Sequence, residues 1–257
     1  MFHDQRLTLL ICGLSLFFSE VMMYWVLDSS TLGPQTAKMM QFIPQAMRRL
    51  LGEENLGFFT PLGMMSICYS HPFVYSVLMV FPAVLFGREV SSARDKGILE
   101  LTLGRSVSRR EYLATLMIFF LAGLAFIVTC LLAGVGFSIW IYGMENSLLD
   151  FIPVITNLFF LFVFLGSMSL LLSVSAESFG GSVGWMIGLP LGLFMLDFLG
   201  KTIALIGAIS PINPFSYYHP QTVLTESGFP LDDILILTCG AVVLVVFSFI
   251  KFRRIDL

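Results

Sequence analysis

The stretch GREVSSARDKGILELTLGRSVSRRE, residues 87–111, is a polar island between long apolar runs. It holds six of the fourteen Lys+Arg residues (Arg88, Arg94, Lys96, Arg105, Arg109 and Arg110) in a chain only 12% charged. Charge gathered into one short segment of an otherwise apolar chain points to a contact made on one side of a membrane. Composition agrees. Hydrophobic residues are 57% of the 257 and mean hydropathy is +0.89, well above the roughly 45–50% apolar content of soluble domains. So few polar residues cannot cover that much apolar surface in water. The solvent is lipid. The net charge of −3 matters less than where the charges lie.

Working outward, runs long enough to cross a bilayer, about 20 mostly apolar residues each, fall at 7–27, 64–86, 112–140, 155–174, 182–199 and 234–252. The chain is therefore expected to be one all-α polytopic membrane domain, 1–257, with six spans. The first run is interrupted only by Glu20, and no small-x-small cleavage site follows it, so it is expected to stay as an anchor. Orientation follows from the positive-inside rule. With both termini cytoplasmic, Arg6, the island and Lys251, Arg253 and Arg254 put ten cations inside, against Lys38, Arg48, Arg49 and Lys201 outside.

The outer segments are unequal. Within 38–51, Met40, Ile43, Met47 and Leu50 recur at helical spacing, as in a helix lying in the outer interface or packed on the span ends. The segment 208–220 carries three prolines yet is too apolar for a free loop. It is expected to form broken helices dipping into the outer leaflet, where protein must cover the exposed backbone.

Span five carries Gly180, Gly184, Gly188 and Gly192, one glycine every fourth residue. Such a ladder makes a groove for a close-packed helix, either in a second subunit or elsewhere in the same chain. Pro190 in the same run suggests a kink. Glu20 and Asp197 are the charges at membrane depth, each costing on the order of 2.5–3.5 kcal/mol at the bilayer centre, but both lie in the outer part of their spans, where the cost falls. The i, i+4 spacing of Asp197 and Lys201 favours a local pair, while Glu20 is either structural, part of a substrate path or a proton carrier.

Catalytic signatures are missing. The sequence contains no GxxxxGK[ST], so it does not cradle ATP phosphates itself, and no HExxH or GxSxG. His3, His71 and His219 are far apart, and Cys12, Cys68, Cys130 and Cys239 are scattered without a CxxC pair; neither cofactor nor metal is expected in this chain. Nucleic acid is not an expected partner.

Within the island, Val90, Ala93, Gly97, Leu101 and Gly104 are small or apolar, while Glu89, Arg94, Asp95, Lys96 and Glu100 are charged. An amphipathic helix along the inner surface fits. Pure attraction to anionic lipid would not use Glu89, Asp95 and Glu100, so the mixed signs favour docking to a cytoplasmic partner. Glu89 and Glu100, eleven residues apart, would share one face of a continuous helix.

The run Gly87-Arg-Glu89…Lys96-Gly-Ile-Leu-Glu100-Leu…Val107-Ser-Arg109 resembles the loop between spans two and three of ABC-2-type permeases, the membrane subunits of ATP-binding-cassette exporters. That family's pattern is E-x-x-x-G-T-hydrophobic-E-x-L-L followed by Pro-Val-Ser-Arg. This chain departs from it at Ile98, Ser106 and Thr115. The resemblance implies a homodimer or heterodimer of six-span subunits in the cell membrane of a prokaryote. Two separate ATPase subunits would hold ATP and magnesium, and the island would be the coupling helix, with Glu89, Arg94, Gly97, Glu100 and Arg109 meeting the ATPase. It also implies export of a substrate that the sequence does not identify, with spans one and five at the dimer seam. An ATPase-coupled membrane assembly factor is the alternative; an intramembrane enzyme lacks a catalytic cluster.

The charge count sets a test of topology. In a cysteine-free background, Arg94→Cys and Leu257→Cys should resist an impermeant thiol reagent in intact cells, and Glu226→Cys should react. Labelling at position 94 from outside would reverse the orientation.

Overall fold

The computed structural model describes residues 2–29, 61–104, 108–144, 146–176, 178–200, 203, 210–226 and 228–254. The interfacial helix expected at 38–51, together with Lys201 and Ser106, lies outside these residues. The described elements are helical, and six helical stretches are long and apolar enough to cross a membrane.

Helix α1 (Phe2–Ser29) is the first. The second span is assembled from α2 (Pro61–Ser70) and α3 (Pro72–Phe86). They meet at His71, which is extended at φ −70°, ψ 132° because a residue before proline avoids the helical region. Its Nδ1 accepts the Phe73 N–H at 3.2 Å. Beyond α3 the backbone widens into a π-helical turn, Gly87–Ser92, and the second crossing runs to Asp95, nine residues past the apolar run. The first half of the island is thus the end of a span. After Gly97 comes α4 (Ile98–Leu103), the short amphipathic helix between spans two and three.

Helix α5 (Arg109–Tyr142) starts with a capping box: Ser108 Oγ accepts from the Glu111 N–H at 3.2 Å, and Glu111 accepts from the Ser108 N–H at 2.8 Å. It stops at Gly143, whose φ of +60° a residue with a Cβ adopts only with strain. Helices α6 (Ile152–Ser175), α7 (Phe179–Gly200) and α9 (Leu231–Arg253) are the remaining spans. Between α7 and α9 the chain forms two 3₁₀ turns (Ser210–Ile212, Pro214–Tyr217) and α8 (Pro220–Glu226). These are the expected broken helices, and protein covers them. Phe215, Tyr218, Val223 and Leu224 are buried, Asn213 donates to the Leu193 carbonyl at 2.8 Å, and the Tyr218 hydroxyl donates to the Tyr69 carbonyl at 3.2 Å.

Helix α6 is the hub, buried along most of its length from Val154 to Val174. Around it, close approach is set by glycines facing aromatic rings or backbone. The ring of Phe120 lies on Gly166, that of Phe81 on Gly123, and that of Phe164 on Gly240. Helices α1 and α5 run parallel: Gly13 faces Cys130, and Gly134 faces Phe17 and Glu20. A methyl at Gly134 would lie 2.8 Å from the Phe17 carbonyl oxygen. Lipid gives no hydrophobic drive between helices, so this contact geometry is what holds the pair. The four cysteines are free, and Cys12 and Cys68 pack as small apolar groups in the core.

Gly134→Val is expected to destabilise the fold by about 1–3 kcal/mol. Gly136→Val, on the same helix but with only Leu148 at 3.7 Å, should be tolerated. Thermal midpoints of the two purified variants check this, and equal midpoints would discount the α1–α5 seam.

Candidate functional site

At the end of the bundle that carries the basic residues, the island is tied to three other helices. Ser91 Oγ donates to the Ser173 carbonyl at 3.1 Å, buried, on the last turn of α6. One turn on, the Arg94 guanidinium donates to the Ala176 carbonyl just past the same helix. Next to it, the Asp95 carboxylate accepts the Phe179 N–H at 2.6 Å, capping the first turn of α7. A cation on terminal carbonyls and an anion on an initial amide both match the helix dipoles. Gly87 lets the π-helical turn approach α7: a methyl there would sit 3.1 Å from Val183 and 3.2 Å from Phe179.

The second tie runs to α9. Arg109 donates to the carbonyls of Phe252 at 3.3 Å and Arg253 at 3.1 Å, satisfying the end of the last span. The Tyr112 hydroxyl donates to the Glu89 carbonyl at 2.6 Å, and its ring stacks on Phe252 at 6.3 Å and 12°.

Of the five residues expected to meet a partner, two are therefore engaged inside the chain. Arg94 and Arg109 bond helix-end carbonyls, and Glu89 is half-buried in the π-helical turn. Gly97 takes φ +66°, with open space where a Cβ would be. That left-handed residue breaks the segment, so Glu89 and Glu100 do not share one face of a continuous helix; the periodicity argument for that pair is corrected. Glu100 lies in the first turn of α4 and is exposed, with Lys96, Ile98 and Leu101 around it, while Leu99 is buried beneath. Asp95, one of the acidic residues that the mixed-sign argument turns toward a partner, is instead engaged inside the chain. Ser91 and Tyr112 also belong to the site; their partners lie more than twenty residues away, and nothing local marks them.

The glycine ladder lies on the surface of the bundle. Gly180, Gly184, Gly188 and Gly192 are exposed, and a methyl on any of them would meet nothing within 4 Å. Among the described residues, none packs into the groove. Asp197 accepts from the Ser216 hydroxyl at 3.1 Å, which ties α7 to the broken-helix segment.

Glu20 is only 1% exposed, and among the described residues its Oε2 has no hydrogen-bond partner. It lines a cavity of about 400 Å³ between α1 and the junction of α2 and α3. On its other side lies a core of buried aromatics, in which Tyr24 and Tyr69 pack on Phe151 with ring centroids 6.3 and 6.2 Å apart.

The family model described as the C-terminal domain of the multidrug efflux system permease Rv1217c matches residues 3–253. The chain belongs to that family. It is thus a multi-pass membrane permease, and the match covers all six spans together with the island. No curated protein matches the chain.

Asp95→Ala should cost the α7 start about 0.5–2 kcal/mol. Amides 179–182 should then exchange hydrogen roughly two- to thirtyfold faster, with those of α1 unchanged. Asp95→Asn, which keeps an acceptor, should restore most of the protection.

Proposed function

We propose that this chain is the permease subunit of an ATP-binding-cassette exporter of the ABC-2 type, with the ATP hydrolysed by a separate cytoplasmic subunit. The observation that carries the reading is mechanical. An exposed short helix carrying Glu100 (α4), with Lys96 just before it, lies between a segment hydrogen-bonded to the ends of α6 and α7 and Arg109, which bonds the end of α9. A load applied at α4 therefore reaches three spans through charge-assisted bonds, which are about twice as strong as neutral ones. A loop that only attracted lipid would need no such ties.

In this reading both termini and the island are cytoplasmic, as the ten-to-four charge distribution favours. The ATPase seats on Lys96, Ile98, Glu100 and Leu101 of the exposed surface, and ATP-driven closure pulls on the clamp. Arg94 and Arg109 act as links from the island to the spans. The unfilled groove of Gly180, Gly184, Gly188 and Gly192 is the seam for a second permease subunit. Efflux of several drug-like compounds, as the family's description states for its namesake, is the transport activity proposed here.

The decisive variant is Glu100→Lys. It leaves every described span and clamp bond intact, so the protein should insert and fold normally. It places an unpaired charge in the docking cleft, where disrupting a desolvated pair costs roughly 2–5 kcal/mol. Co-purified ATPase should fall at least about tenfold. Retention of a fully stimulated ATPase by Glu100→Lys would sink the coupling role of α4.

A further inference from the structure

A carboxylate inside a membrane span calls for a partner, and the described residues supply none to Glu20 Oε2. Glu20 stands 15 residues past Gln5 and seven before Leu27, the two ends of the first span, so it lies in the outer part of that span, about 10 Å from its outer end at 1.5 Å per residue. An uncompensated charge there costs less than the roughly 2.5–3.5 kcal/mol of the bilayer centre but still calls for a partner. Residues of this kind are, as a rule, functional.

The cavity beside it has the matching character. Its volume of about 400 Å³ lies within the roughly 300–1,000 Å³ of small-molecule sites. The walls are apolar and polarisable, including Phe18, Met22, Met23 and Phe73. Phe18, Met22 and Phe73 are also exposed on the surface of the bundle, at 62%, 64% and 44%, so the cavity opens sideways within the first two spans. Its other polar groups are largely committed. Ser19 donates to the Leu16 carbonyl at 2.9 Å, and His71 Nδ1 accepts the Phe73 N–H. No lysine or arginine among the described residues lines it.

We infer that this cavity is a lateral binding site for hydrophobic organic cations entering from the bilayer, with Glu20 as the counter-charge. A neutral or anionic amphiphile would offer Glu20 no opposite charge to stabilise its ionised form. A delocalised cation needs little desolvation, pairs with Glu20, and places its rings against Phe18 and Phe73, whose faces also attract positive charge. The inference names a substrate class for the exporter proposed above and rests on that reading for transport; binding itself requires no ATPase.

Equilibrium dialysis of the purified full-length permease in detergent tests the site, with tetraphenylphosphonium as the cation and triphenylphosphine oxide as its neutral analogue. Glu20→Gln should weaken tetraphenylphosphonium binding at least about tenfold and leave the neutral analogue within about twofold of wild type. Ser19→Phe keeps the carboxylate but fills the cavity, so it should weaken both probes. Unchanged tetraphenylphosphonium affinity in either variant overturns the site, and Ser19→Phe carries the test if Glu20→Gln does not fold. If the permease captures its ATPase while Glu20→Gln binds the cation normally, the site is wrong and the exporter reading stands. Glu20-dependent binding in a chain that captures no ATPase has the opposite meaning.

Discussion

The termini of spanning helices impose the constraint on which this structure turns. Each helix leaves four amides at its start and four carbonyls at its end without intrahelical partners, to be met by side chains, water or other backbone. At the basic end the chain answers with side chains from one segment. Arg94 takes a carbonyl beyond α6, Asp95 an amide of α7, and Arg109 two carbonyls of α9. Satisfying the ends in this way also joins them. The same bonds that complete three helices make the segment between spans two and three a common anchor for them, and the coupling function proposed here builds on that anchor.

Packing between the spans obeys a separate rule. Because lipid tails are as apolar as leucine, helices associate through fit rather than through escape from solvent. The internal seams are accordingly built on isolated glycines that receive a ring or a backbone carbonyl, as Gly166 receives Phe120 and Gly134 receives Phe17. The regular ladder on α7 does none of this work. A groove of that regularity, left open on the surface of a span, is available to a neighbouring subunit.

The buried polar groups divide into two kinds. Ser138, Ser167 and Ser169 return their hydroxyl protons to carbonyls on their own helices and need no function. Glu20 Oε2 and both amide atoms of Asn157 find no partner among the described residues. Among these, Glu20 borders an open cavity of molecular size.

The sequence by itself determined the helical class, the six spans, the broken segment before the last of them, and the polar island as the one place where charge concentrates. These follow from hydropathy, proline placement and composition, all of which act over windows of twenty residues or fewer. Tertiary structure alone decided what the charges do. Asp95 and Phe179 are 84 residues apart, and Arg109 and Arg253 are 144 apart, so nothing in the local pattern could show that Arg94 and Arg109 face inward while Glu100 faces out. Helical periodicity also failed where a single left-handed residue, Gly97, interrupts the island, since one positive φ resets the face of every residue after it. The glycine ladder is visible from its spacing, but only the fold shows that none of the described residues fills its groove. A stripe of small residues says how close a helix can come; the surrounding packing decides whether one does.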